Sequence, residues 1–70
     1  MPTIEFVDMR LAGDIAFYNF SLNGPGNERV GLIPIQTVCK RGESFDDGKA
    51  RAAVQLKLVI KCWAEEADKL

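Results

Sequence analysis

The side chains able to act as nucleophiles in this sequence are Ser21, Ser44, Cys39, Cys62 and the threonines, and there is no histidine to serve any of them as a base. Nucleophilic catalysis needs a base held beside the nucleophile. Ser44 stands just before Phe45-Asp46-Asp47 and a run from Lys49 to Asp68 without glycine or proline, which is the setting of a helix N-cap. Paired-carboxylate chemistry needs acids converging in a cleft. Asp46 and Asp47 are adjacent and point in different directions on a helix, and Glu65 and Glu66 read as a solvated helix face. Two isolated cysteines cannot form a four-ligand structural zinc site. Asp46-Asp47-Gly48 lacks the alternating ligands and closing glutamate of a calcium loop. The glycine-rich segment Asn23-Gly24-Pro25-Gly26-Asn27 joins two strands and has no nearby lysine, so it reads as a hairpin tip and not as a phosphate cradle. These residues predict a non-catalytic protein with no cofactor and no metal.

Binding chemistry is better represented. Lys40, Arg41, Lys49 and Arg51 cluster around the start of the helix. Three strands followed by a helix carrying Ala50, Ala52, Ala53 and Leu56 resemble the second part of a double-stranded-RNA-binding domain. In that family a lysine-rich segment at the start of the last helix grips phosphates. Over Ser44–Arg51 two acids, Asp46 and Asp47, stand where the family has lysines, and the family's first helix has no counterpart. The resemblance covers the last third of the chain. It implies an alternative function, a small nucleic-acid-binding domain using Lys40, Arg41, Lys49 and Arg51. A net charge of −1 gives no general attraction to nucleic acid or anionic membrane.

The elements that must position these residues are legible from pattern. β-Branched and aromatic runs predict strands at about 3–11, 15–22 and 29–39, separated by the turns Ala12-Gly13-Asp14 and Asn23–Asn27. The first strand changes face near Val7 and Asp8, which predicts a bulge. Pro34 removes a ladder donor and predicts an edge position for the third strand. Ser44 as cap, with Asp46 and Asp47 in the first turn, starts a helix over about 45–69. Gly48 weakens that helix by about 1 kcal/mol relative to alanine. The fold class is α+β: a three-stranded antiparallel β-meander followed by one long C-terminal helix packed on one face (βββα), in a single domain.

The helix carries two apolar stripes at about 100° per residue. Ala52, Ala53, Leu56, Val59, Ile60, Trp63, Ala67 and Leu70 form a wide one that is expected to pack on the sheet. Ala50, Val54, Leu58 and Cys62 form a second, at i, i+4 spacing. One helix over one sheet needs only one stripe. The strands also place apolar residues on both faces, with Phe17 opposite Tyr18 and Phe20. Val54, Leu58, Cys62, Phe17 and Tyr18 are therefore the candidate protein interface.

Size points the same way. A chain of 70 residues buries only about 60% of its unfolded surface, and such domains usually need outside support. Two cysteines far apart do not make a disulfide-dense scaffold and read as small apolar residues. Met1-Pro2-Thr3-Ile4-Glu5 has neither the basic start nor the apolar run of a signal peptide, and no segment is long enough to span a membrane, which predicts a cytoplasmic protein. Good packing and a partner remain as support, the partner most simply a second copy. The functional expectation is a homodimeric accessory or inhibitory protein that occludes or bridges a larger protein. By size analogy alone, phage anti-defence inhibitors such as anti-CRISPR proteins are of this kind.

Overall fold

The computed structural model describes Met1–Leu70 and shows three antiparallel strands followed by one helix. β1 spans Thr3–Ala12, β2 Ile15–Asn23, β3 Arg29–Val38 and α1 Phe45–Ala67. The strands form one open sheet in the order β1-β2-β3, which puts Pro34 on an edge strand, where its missing donor costs no central ladder bond. Element ends move by a residue or two from the sequence reading. Cys39 leaves β3, its amide donating to the Asp14 carbonyl at 2.8 Å. The helix ends at Ala67, where the bonding changes: the Asp68 amide still donates to Ala64, whereas Lys69 and Leu70 donate to Glu66 and Ala67 three residues back.

β1 and β2 are joined through the two-residue loop Gly13-Asp14. Only the first of these has positive φ (63° at Gly13), the requirement of a type II′ hairpin turn. The register of β1 on β2 shifts between Phe6 and Asp8, so Val7 is an extra residue and forms the predicted bulge. Its effect is to keep Ile4, Phe6, Met9 and Leu11 on the same face although their spacing changes from even to odd. Those residues pair with Leu22, Phe20, Tyr18 and Ala16, which in turn pair with Gly31, Ile33, Ile35 and Thr37 of β3. This is the inner face, on which α1 lies.

Ser44 caps the helix, its hydroxyl accepting from the Asp47 amide at 3.1 Å. Phe45 follows at once and packs on Tyr18 and Phe6 with ring centroids 5.9 and 5.6 Å apart. One turn later Gly48 is buried against Tyr18. Arg51 then ties the helix to the end of β3: its guanidinium pairs with the Glu43 carboxylate and donates to the Val38 carbonyl at 2.8 Å. The core is Ala16, Tyr18, Phe20, Ile33, Ile35, Ala52 and Leu56, flanked by half-buried residues that include Val59 and Ile60.

The wide helical stripe is buried only in its first half. A helix of 23 residues is roughly 34 Å long at about 1.5 Å per residue. It outruns the sheet beneath it, and every residue from Lys61 to Leu70 is exposed. Trp63, expected in the core, is 61% exposed. Ala53, Ala67 and Leu70 of the same stripe are exposed as well.

Candidate functional site

Val54 and Leu58 project outward at 63% and 59% exposure, and Cys62 continues their line into solvent. The second stripe thus forms one outward row on the helix, uncovered by any part of the chain. Cys39 and Cys62 are both free and exposed. The remaining two interface residues separate. Phe17 is half-buried on the open face of the sheet, in a shallow hollow of about 440 Å³ with Val7 and Leu32. Tyr18 is buried, 4% exposed, and is not available to a partner. Strand alternation puts it opposite Phe17 and under the helix.

Burial holds the Tyr18 phenol above its ordinary pKa, with the Glu43 carboxylate adding to the effect, Cys39 contributing further and Arg51 opposing it. The phenol is therefore neutral at physiological pH.

The open face is more polar than the sequence pattern suggests. Asn19 donates to Asp8 at 2.6 Å, Ser21 to Asn23 at 2.9 Å and Asn23 to Thr3 at 3.2 Å. Arg10 lies 3.6 Å from Asp8 on the same face. This polar ladder runs along β1 and β2, the arrangement of a wet sheet face. Its apolar residues are Val7 on β1, Ile15 and Phe17 on β2, and Leu32 and Val38 on β3.

The largest opening is on the inner face. The helix lies closest to β3 and leaves β1 half covered. Between α1 and β1 runs a groove of about 550 Å³. Ile4, Phe6 and Phe20 form its floor, and Ala53, Leu56 and Ile60 its helical wall. Lys49 and Lys57 are the only charged residues lining it, and the Lys49 ammonium sits 4.7 Å from the centre of the Phe6 ring. Sequence reasoning missed this groove: periodicity tells which face of a helix is apolar, not how far sideways the helix lies on its sheet.

The basic cluster does not assemble into one phosphate-gripping row. Arg51 is committed to Glu43 and Val38, and Lys49 to the Phe6 ring. Lys40 and Arg41 remain exposed in the loop before the helix. The acids Asp46 and Asp47 occupy the first turn. No three cysteine, aspartate or glutamate side chains converge as a metal site, and no helix is long and apolar enough to cross a membrane. No protein-family model, curated protein or solved structure matches this chain.

Proposed function

We propose that this domain is a non-catalytic protein-binding module that assembles as a homodimer and acts by occluding or bridging a larger protein. The observation that carries this reading is the half-empty helix: α1 continues past its own sheet with Trp63 exposed, while Val54, Leu58 and Cys62 form a second apolar row. Only 11 of 70 residues are buried, so the chain by itself covers little of its apolar surface. Contiguous exposed apolar surface on a small domain marks an interaction site. Tryptophan is enriched among the residues that dominate binding energy. The non-catalytic part of the reading is supported by open, shallow hollows and by the lack of any nucleophile–base pair.

Light scattering on the intact chain tests the proposal. The expected mass is twice the 7.8 kDa of one chain. A mass of one chain at every concentration would overturn the dimer. The variant Leu58→Glu then assigns the surfaces. Loss of the dimer places the second copy on the outward row; a retained dimer leaves that row to the larger protein.

A further inference from the structure

We infer that Asn23 is a self-modification site: its carboxamide converts to aspartate or isoaspartate when the end of the β2–β3 hairpin opens, and the closed fold holds that reaction back. Asn23 precedes Gly24, the only Asn-Gly pair in the chain. Asn19 and Asn27 are followed by Phe20 and Glu28, whose side chains shield the next amide nitrogen, whereas glycine has no side chain to do so. The chemistry needs only water. The Gly24 nitrogen attacks Asn23 Cγ and forms a new C–N bond, the carboxamide C–N bond breaks, and ammonia leaves with the Gly24 proton. Water then opens the cyclic imide. Cleavage at Cγ gives aspartate; cleavage at the main-chain carbonyl gives isoaspartate, with the backbone now running through the former side chain. Either product adds one negative charge to a formal net charge of −1.

The closed fold restrains both reacting groups. Asn23 ends β2, opposite Thr3 of β1 and Arg29 of β3. Its carboxamide oxygen accepts from the Ser21 hydroxyl at 2.9 Å, and its carboxamide nitrogen donates to the Thr3 hydroxyl at 3.2 Å. Ser21 is 2% exposed, which makes it a fixed anchor. The nucleophile is committed too. Gly24 is buried, and its N–H donates to the Glu28 carbonyl at 2.8 Å. The Glu28 carboxylate also lies against Gly24, where negative charge opposes loss of the amide proton. Attack therefore requires the Asn23 side chain to leave Ser21 and Thr3 and the Gly24–Glu28 bond to break. That is a local opening of the hairpin end, and such ends open more readily than the whole domain unfolds. Isoaspartate lengthens the main chain where the register of β2 on β3 already shifts, between Leu22 and Asn23. The pairing of residue 23 with Arg29 is then lost, so the conversion permanently marks a chain whose hairpin end has opened.

The test is incubation of the intact chain in mildly alkaline buffer, with and without urea, followed by sequencing mass spectrometry of the tryptic fragment Leu11–Arg29, which carries Asn19, Asn23 and Asn27. In urea, conversion is expected at Asn23 well ahead of the other two. In buffer alone it is expected to be slower by about tenfold or more, because the hairpin end must open first. Thr3→Val removes the acceptor of the Asn23 carboxamide at an exposed position. It is expected to speed conversion severalfold in buffer and to leave the rate in urea unchanged. Amide exchange followed by NMR is expected to show the Gly24 N–H protected in the parent chain. Absence of preferential conversion at Asn23 in urea overturns the site. Equal rates with and without urea, or an unprotected Gly24 amide, overturn the gate. An unchanged rate in Thr3→Val with a native circular dichroism signal overturns the carboxamide contact as part of it; should that variant lose its fold, the exchange measurement on the parent chain decides.

Discussion

Replacing Gly48 by alanine sets two effects against each other at one residue. Helix propensity favours alanine by about 1 kcal/mol in a helix interior. The added methyl, however, would lie well inside van der Waals contact of the Tyr18 hydroxyl and 3.0 Å from the ring carbon that bears it. That ring cannot step aside, because it is 4% exposed and packed against Phe45 at 5.9 Å and Phe6 at 6.4 Å. Overpacking a filled site costs about 1–3 kcal/mol. The steric term is the larger, so Gly48→Ala is expected to destabilise by up to about 2 kcal/mol net. In a domain this small each kcal/mol moves Tm by about 4–8 °C. The companion variant Tyr18→Phe removes the hydroxyl, and in that background the same alanine is expected to cost about 1 kcal/mol less. Thermal unfolding followed by circular dichroism gives all four corners of the cycle, at one chain concentration because association adds to stability. A higher Tm for Gly48→Ala in the parent chain would refute the close approach of helix and strand.

Three further outcomes follow from the same junction. Arg51→Ala is expected to lower stability by about 1–2 kcal/mol in urea unfolding, since it releases both the Glu43 carboxylate and the Val38 carbonyl. Arg51→Lys is expected to recover less than half, because one ammonium cannot reproduce the two-pronged contact. Alkaline titration reports on Tyr18, the only tyrosine. Its folded pKa is raised, so the unfolded chain loses the proton first. The contribution of the buried phenol is whole below the ordinary value of about 10 and disappears as pH rises through the folded one. Phenolate absorbance is expected to appear together with loss of helical signal; phenolate formation in a fully folded chain well before unfolding would contradict the burial.

The parts of the fold written in short stretches of sequence were readable there. Gly13 and the Asn23–Asn27 segment punctuate the strands, Ser44 with its two following acids starts the helix, and the changed spacing around Val7 announces the bulge. What depends on the relative placement of elements was not readable. Trp63 keeps perfect step with Leu56 and Ile60, and nothing in the spacing reveals that the sheet stops short of it. Arg51 pairs with Glu43 eight positions earlier, from within the helix back to the residue before its cap, outside the three- and four-residue spacings that signal a helical ion pair. Gly48 reads as a weak point in a helix until Tyr18 is seen against it. The assignment of Tyr18 to an interface failed for a related reason: an aromatic-rich strand shows two apolar faces, and the helix decides which becomes interior. At the candidate interface the outward row was legible from i, i+4 spacing, whereas the groove arises from a lateral offset that no periodicity encodes.

The strand order has a consequence for how the molecule comes into being. Each strand pairs with its neighbour in the chain, through loops of two and a few residues, so most early contacts close short distances. The helix docks on a face of this meander, through Phe45, Gly48 and Arg51, and leaves the outer margin of β1 unpaired. The Val7 bulge, with Asp8 and Arg10 beside it, breaks the regular edge another strand would need, which guards that margin against fibre-like stacking.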